Sequence, residues 1–176
     1  PEPCWLARHN RPHPFSFSIS HAHDHAVSYL TNEPNCQLGI DLVKKEARDP
    51  QKLRGFLTPS ELDLVSRYPT HQQSRATNIV WAVKEALSKA LKMGMAIVSS
   101  IVVRSIDELS NIQFELTGKA LESYQYQKGR EIACRLMEED QYWVAYATCF
   151  IGWFQKNRHL GLDNFLNEYQ KRPLLY

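Results

Sequence analysis

The sequence predicts an α+β fold in which a mainly antiparallel sheet packs on one long helix. Three observations predict it: strand-like segments open the chain, a long segment of helical periodicity follows, and strand-like segments return in the second half. The long segment runs from about His71 to Met93 and ends at Gly94, a residue type common just after a helix. Because strands precede and follow this one helix, a layer of strands covered by the helix is expected.

The strands are predicted from alternating apolar and polar residues. Residues 15–20 alternate in this way, residues 26–31 are their predicted hairpin partner, and residues 37–43 form a third strand. Beyond the long helix, strands are predicted at 112–116, 131–137 and 142–150, followed by a closing helix at 153–169.

In the middle of the chain, the sequence indicates where one helix begins and which side of the long helix is buried. Thr58 followed by Pro59 indicates a helix start, because threonine caps a helix and proline suits its first position. In the long helix, Trp81, Glu85 and Lys89 lie on a different side from the apolar stripe. That stripe consists of Val80, Val83, Leu87 and Leu91.

The composition predicts a soluble globular domain. Of 176 residues, 43% are hydrophobic and 23% are charged, which is typical of neither a fibre nor a disordered chain. No apolar run reaches the roughly 18 residues that span a membrane, so no membrane partner is expected. A net charge of +2 with scattered basic residues does not indicate nucleic acid binding. The cysteines lack a C-x-x-C pair, which favours free thiols in the cytosol; they are Cys4, Cys36, Cys134 and Cys149.

One acidic residue stands out in the third strand. Leu38, Ile40 and Leu42 can face the core there. Asp41 then projects the other way, beside Gly39, whose missing side chain leaves space for a ligand. A carboxylate in this position could bind a hard cation, although a single such aspartate is more typical of a turn or a cap.

A second pair of charges lies on the long helix. Glu85 and Lys89 are four residues apart and are therefore neighbours on the helix surface. They could form an exposed ion pair worth at most about half a kcal/mol. They could instead line a cleft, where the carboxylate would hold a metal and the ammonium would meet phosphate. Helical spacing leaves both interpretations open.

The order of these segments resembles the signature of the 4′-phosphopantetheinyl transferase superfamily. Gly-Ile-Asp at 39–41 is followed by Trp-x-x-Lys-Glu-Ala-x-x-Lys at 81–89. Residues 17–21 resemble the family's Ile-Ser-His motif, and residues 55–61 resemble its Phe-x-(Thr/Ser)-x-x-Glu segment. Residues 143–147 are similar to its closing Val-Ala-x-Ala strand. The resemblance extends from about Asn10 to Phe150.

The resemblance implies Mg²⁺-dependent transfer of the 4′-phosphopantetheine group from coenzyme A to a serine of an acyl or peptidyl carrier protein. Adenosine 3′,5′-bisphosphate would be released. Asp41 and Glu85 would ligate Mg²⁺, and Glu85, or a water that it orients, would take the serine proton. Glu85 and Lys89 would be the catalytic residues, with Lys89 and Lys84 neutralising charge on the phosphates.

Further contacts to coenzyme A are implied near the amino terminus. His21, with Ser20, would contact a phosphate of the coenzyme, and Arg11 would touch its nucleotide. The sequence departs from many members of the family at Val43, where those members carry a second acid. Water would then complete the magnesium shell, since Mg²⁺ usually keeps several waters.

The resemblance also implies a division of the chain. Residues 1–32 would be the end of a first, mostly missing lobe, residues 33–152 the catalytic transferase lobe, and residues 153–176 a C-terminal helical extension. In the long form of the family, coenzyme A lies between two lobes. Another domain or a second protomer could therefore complete the coenzyme site.

A second class of function stays open beside the enzyme. The chain could be a catalytically degenerate domain that keeps the fold as a scaffold or carrier-binding module. Val43 and the missing lobe support this alternative, whereas the intact Asp41, Glu85, Lys89 and His21 favour the enzyme.

Two other patterns have simpler explanations. His21, His23 and His25 alternate, and three imidazoles on one strand face could bind zinc or copper. Asp24 favours a turn that would break the alternation, so this metal site is not expected. The aromatic residues of the last strand and the closing helix are more typical of a core than of a base-stacking platform.

The expected partner is an apo carrier protein, a small acidic helical bundle. A local basic surface should receive such a partner. Lys52, Arg54 and Arg75 are the candidate docking residues.

Overall fold

The computed structural model describes residues 15–106 and 112–151, which form seven strands and three α-helices. The strands are β1 (Ser16–Ala22), β2 (His25–Thr31), β3 (Cys36–Lys44), β4 (Ile101–Ile106), β5 (Ile112–Leu116), β6 (Gly129–Glu139) and β7 (Tyr142–Ile151). The α-helices are α1 (Pro59–Ser66), α2 (Thr70–Ala90) and α3 (Gly118–Tyr126), with short 3-10 helices at Pro50–Leu53 and Gly94–Ser100.

The central element is an antiparallel three-stranded sheet in the order β3-β7-β6. Helix α2 packs across β3 and β7 on one face of this sheet. Two antiparallel hairpins, β1–β2 and β4–β5, flank the sheet. The predicted α+β fold, an antiparallel sheet on one long helix, is confirmed.

Two apolar clusters hold these layers together. The main core lies between α2 and the sheet, and the predicted stripe of α2 is entirely within it. A smaller group, here called the hairpin cluster, lies between the other face of the sheet and the β1–β2 hairpin. Its buried members are Ile40, Leu42, Tyr142 and Val144, against which Ala22, Val27 and Tyr29 pack. The hairpin is therefore fixed to the sheet by apolar contact.

Strand β3 is covered on both faces, which corrects the expected role of Gly39. A Cβ atom built at Gly39 would lie 1.8 Å from the carbonyl oxygen of Ala86 and 2.6 Å from the amide nitrogen of Ala90. The space at Gly39 is thus filled by the backbone of α2, so the missing side chain leaves no room for a ligand there. Glycine lets the helix and the strand approach closely.

Helix α1 begins with a capping box, as its sequence predicts in part. The Thr58 side chain accepts a hydrogen bond from the Glu61 amide, and the Glu61 carboxylate accepts one from the Thr58 amide at 2.7 Å. Pro59 occupies the first turn. The cap and the proline were predicted, and the reciprocal bond from Glu61 is the additional finding.

The structure also contains two elements that the sequence patterns missed, β4 and α3. The β-branched run Val102-Val103 is a strand signal that points to β4. Helix α3 is nine residues long, has one fully buried residue, Ala120, and has no side-chain cap. The closing helix predicted at 153–169 and the extension at 153–176 lie outside the described residues.

The turn between β1 and β2 settles the arrangement of the three histidines. His23 adopts a positive φ of 56°, and Ala22 pairs with His25 across the turn. The alternation of the three imidazoles is therefore broken, as Asp24 predicted. Within residues 15–106 and 112–151, no group of three metal-ligating side chains is assembled.

The cysteines in the described part of the chain are free and buried, as predicted. Burial raises the pKa of the Cys36 thiol to about 12 and that of Cys149 to about 11. Cys4 lies outside the described residues. Among the helices of residues 15–106 and 112–151, none has both the length and the apolar character to span a bilayer.

Candidate active site

The candidate site is centred on a contact between β3 and α2. The Lys89 ammonium donates to Oδ1 of Asp41 at 2.8 Å and to the carbonyl of Ile40 at 2.9 Å. The side chain of Lys89 is 29% exposed and that of Asp41 is 9% exposed. The pair therefore lies at the rim of the buried layer, where a solute can reach it.

Strand β1 supplies a third polar group to this contact. The Ser20 hydroxyl donates to Oδ1 of Asp41 at 2.9 Å and accepts the amide proton of Leu42 at 3.2 Å. Ser20 is buried, so its hydroxyl is enclosed between the two strands. The structure places Ser20 beside the predicted metal ligand, and the coenzyme contact implied for it remains a prediction.

Glu85 lies one helical turn before Lys89 on the same side of α2. Its Oε1 atom is buried and has no hydrogen-bond partner. Burial raises the pKa of the Glu85 carboxyl, the nearby Asp41 charge raises it further, and Lys89 partly offsets the shift. A buried carboxylate oxygen without a donor lacks a positive partner.

Asp41 shows the same conflict between burial and charge. Burial is the largest influence on its carboxyl and raises its pKa, while the Lys89 charge and the hydrogen bonds from Lys89 and Ser20 oppose the shift. Two carboxyl groups with raised pKa values and one ammonium thus share a small region. Perturbed pKa values in a cluster of this kind are typical of functional sites.

The donor set fits a hard divalent cation. Asp41 and Glu85 provide two carboxylates, one of them with an unpartnered oxygen, and carboxylate oxygens are preferred ligands of Mg²⁺. Val43 is buried in the main core, so the position of the second acid in many family members cannot contribute here. A cation held by two carboxylates would keep waters in its remaining positions.

The structure corrects the expected role of Lys84. Its side chain is fully buried, and its ammonium lies 2.6 Å from Oε2 of Glu61, which is also fully buried. The other oxygen of Glu61 accepts the amide proton of Val103 at 2.8 Å. Lys84 therefore joins α2, α1 and β4 inside the core, and a phosphate arriving from solvent cannot contact it.

The spacing of the sequence contains a signal for this burial. Lys84 is four residues after Val80 and three before Leu87, so it belongs to the apolar stripe. Burial lowers the pKa of the Lys84 ammonium, and Glu61 opposes the shift.

The remaining predicted binding residues that the structure describes are exposed at separate places on the surface. His21 is exposed, and neighbouring strand residues project to opposite faces, so it points away from the side on which Ser20 meets Asp41. Lys52 and Arg54 are exposed around the first 3-10 helix. Arg75 is exposed and lies 5.0 Å from the Trp143 ring centre. Arg11 lies outside the described residues.

The sequence also matches a known family. Residues 37–147 match the family described as the 4′-phosphopantetheinyl transferase superfamily. The chain belongs to this superfamily. The match spans β3 to β7 and contains Asp41, Glu85 and Lys89, whereas the β1–β2 hairpin precedes it. The chain is accordingly a 4′-phosphopantetheinyl transferase, as the order of its motifs predicted.

Solved structures share the fold of this transferase. An ACPS of Chronobacterium ammoniagenes in complex with CoA is 18% identical, with a TM-score of 0.54, over 67% of this chain and 98% of that one. A holo-[acyl-carrier-protein] synthase of Neisseria meningitidis is 22% identical, with a TM-score of 0.51, over 64% and 95%. A holo-(acyl-carrier-protein) synthase of Bacillus anthracis in complex with CoA (3′,5′-ADP) is 17% identical, with a TM-score of 0.51, over 65% and 96%. None of the curated proteins matches the chain significantly.

Proposed function

We propose that this transferase moves the 4′-phosphopantetheine group from coenzyme A to a carrier-protein serine in a Mg²⁺-dependent reaction. The observation that carries the proposal is the unpartnered, buried Oε1 of Glu85 beside Asp41 and Lys89. A structural ion pair would have its acceptors satisfied, whereas a site awaiting a cation and phosphates would not.

The chemistry assigns the serine proton to Glu85. The serine oxygen forms a bond to the β-phosphorus of coenzyme A, and the bond from that phosphorus to the bridging oxygen breaks. Adenosine 3′,5′-bisphosphate leaves with the bridging oxygen. The serine proton passes to the Glu85 carboxylate, directly or through one water.

Lys89 and Asp41 complete the electrostatics of the site. Lys89 is held by Asp41 and the Ile40 carbonyl, so its ammonium is positioned before the phosphates arrive. Asp41 and Glu85 would hold Mg²⁺, which supplies positive charge to the phosphate oxygens when bound.

Coenzyme A and an acyl carrier protein are the proposed substrates. The structures from Chronobacterium ammoniagenes and Bacillus anthracis were solved with CoA, and the Neisseria meningitidis protein is a holo-[acyl-carrier-protein] synthase. The exposed Lys52, Arg54 and Arg75 are the proposed contacts to an acidic carrier.

The decisive experiment is the intact mass of an apo carrier protein after incubation with the chain, coenzyme A and Mg²⁺. We expect a gain of one phosphopantetheine group. Asp41→Asn and Glu85→Gln should reduce the rate by roughly 10²–10⁴-fold. Glu115→Gln is the matched control, because Glu115 is an exposed carboxylate paired with Arg104 in the β4–β5 hairpin.

Two results would contradict the proposal. A carrier that stays unmodified although the chain binds coenzyme A and Mg²⁺ would exclude transfer by this site. Full activity of Glu85→Gln would exclude Glu85 as the proton acceptor.

A further inference from the structure

Two serines of β1 cover the free edge of β3. The Ser18 hydroxyl accepts the amide proton of Ile40 at 3.0 Å, and the Ser20 hydroxyl accepts that of Leu42 at 3.2 Å. Both serines are buried. In the described part of the chain, β1 pairs with β2 and not with β3, so these hydroxyls stand in for a backbone ladder along that edge.

The two serines differ in what else they contact. Ser20 also donates to Oδ1 of Asp41 at 2.9 Å, a bond that Ser18 does not share. A hydroxyl has one proton and accepts through its lone pairs. Because the Leu42 amide donates to a lone pair of the Ser20 hydroxyl, the hydroxyl proton is available to the Asp41 carboxylate.

The carboxylate is thereby held from two directions. Ser20 donates to Oδ1 from β1, and Lys89 donates to the same atom from α2. The terminal torsion of an aspartate is intrinsically broad. Two donors on one oxygen restrict that torsion and so fix the direction in which Asp41 presents its carboxylate.

The hairpin that carries Ser20 is anchored to the sheet by the hairpin cluster. Val27 and Tyr29 of β2 pack against this cluster, which includes Ile40 and Leu42 on either side of Asp41 in β3. The hairpin precedes the residues that match the family, 37–147. A segment outside the matched region therefore contacts the predicted cation ligand.

We propose that Ser20 is a positioning residue that preorganises Asp41 for the divalent cation. The inference rests on the proposed function, since it takes Asp41 as a cation ligand. Loss of a hydrogen-bond partner of a metal ligand typically weakens metal binding by 10- to 100-fold. Lys89 remains on the same oxygen when Ser20 is lost, so the effect is expected near the lower end of that range.

The test compares Ser20→Ala with Ser18→Ala. Each variant removes one acceptor from the edge of β3, but only Ser20→Ala removes a donor from Asp41. Binding of Mn²⁺, measured by electron paramagnetic resonance without coenzyme A so that a coenzyme contact of Ser20 cannot contribute, should weaken about 10-fold in Ser20→Ala. Ser18→Ala should stay within about twofold of the wild type, and Ser20→Thr, which keeps a hydroxyl, should retain most of the affinity.

Transfer kinetics provide a second measurement. At saturating coenzyme A, the Mg²⁺ concentration for half-maximal rate should rise in Ser20→Ala and not in Ser18→Ala. If Ser20→Ala does not fold, Ser20→Cys, whose thiol is a weaker donor of similar size, replaces it with the same expectation.

The outcomes separate this inference from the proposed function. Equal Mn²⁺ affinities in Ser20→Ala and Ser18→Ala, with normal binding by the wild type, would overturn the role of Ser20 and leave the proposed function standing. Absence of Mn²⁺ binding by the wild type would overturn both.

Discussion

Helix α2 carries two lysine–carboxylate pairs that differ in almost every physical respect. Lys84 and Glu61 are fully buried, 2.6 Å apart, and the oxygens of Glu61 also accept protons from the Val103 and Thr58 amides. Lys89 and Asp41 lie at the rim, and the neighbouring Glu85 keeps a buried oxygen without a donor. One pair is closed and satisfied, and the other is open and incomplete.

The difference shows how the same chemical groups serve structure in one place and function in another. A closed pair has no remaining capacity for a ligand, so its contribution is to the packing of three elements. The open pair lies beside the unpartnered oxygen of Glu85, an arrangement that is less favourable for the folded state but can accept a cation and phosphates.

Breaking the closed pair should have the largest effect. Lys84→Met leaves the Glu61 charge buried without its partner, and the free energy of unfolding should fall by about 3–5 kcal/mol. Denaturant unfolding measures this loss. The matched variant is Lys89→Met at the open pair, which should lower the free energy of unfolding by less, about 1–3 kcal/mol, because Asp41 keeps the bond from Ser20. Equal losses in the two variants would remove the distinction between the pairs.

The spacing between β3 and α2 can be tested at Gly39. Gly39→Ala places a methyl group against the backbone of Ala86 and Ala90, and the free energy of unfolding should fall by about 3 kcal/mol. Binding of Mn²⁺ should weaken as well, because Asp41 moves relative to α2. Gly55→Ala is the control, since nothing lies within 4 Å of a Cβ atom there. A Gly39→Ala protein as stable as the control would show that α2 can move away freely.

Neutralising Glu85 at the open site should stabilise the cation-free protein, in contrast to Lys84→Met and Gly39→Ala. Without a cation, Glu85→Gln removes a charge whose oxygen has no partner, and the free energy of unfolding should rise by about 1 kcal/mol. Thermal and denaturant unfolding in a chelator measure the change. At saturating Mg²⁺ the wild type should instead be more stable than Glu85→Gln, because the cation stabilises the wild type alone. A loss of stability in the chelator would indicate that Glu85 has a partner in solution.

The pH dependence of stability should show the smallest effect. Burial raises the pKa values of Asp41 and Glu85 in the folded state, so the folded protein binds these protons more tightly than the unfolded chain does. Their stabilising effect is complete below the unfolded pKa values of about 4. It is lost as the pH rises through the raised folded values.

The measurement is a series of denaturant titrations, each in the presence of a chelator, from acidic to neutral pH. Asp41→Asn and Glu85→Gln together should flatten the decline relative to the wild type. An unchanged slope in the double variant would assign the decline to other groups.

Much of the fold could be predicted because its periodic signals are strong. The alternation of residues 15–20 and the apolar stripe of α2 each follow from one face being buried, and β1 and α2 formed close to the predicted positions. Strand β4 and helix α3 were missed, the first although Val102-Val103 favours a strand. Helix α3 is only nine residues long and has no side-chain cap, so the length and the cap that mark a helix in a sequence are both absent.

The candidate site was less predictable, because its contacts join distant segments. The motifs identified Asp41, Glu85 and Lys89, but helical spacing alone could not separate Lys84 from Lys89 by role. The position of Lys84 between Val80 and Leu87 of the apolar stripe indicates that Lys84, unlike Lys89, is buried. The contact of Ser20 with Asp41 depends on how β1 lies against β3, which no local pattern encodes.

The hydroxyl-covered edge of β3 has a consequence for association between molecules. An open strand edge is a template on which another chain can add a strand, and proteins use several devices to block it. Here Ser18 and Ser20 occupy the outward amide protons of Ile40 and Leu42, so no incoming backbone can pair there. A shortened chain beginning at Cys36 would expose those amides next to a sheet rich in apolar residues. The hairpin that contacts Asp41 thus also blocks the addition of a strand at this edge of the central sheet.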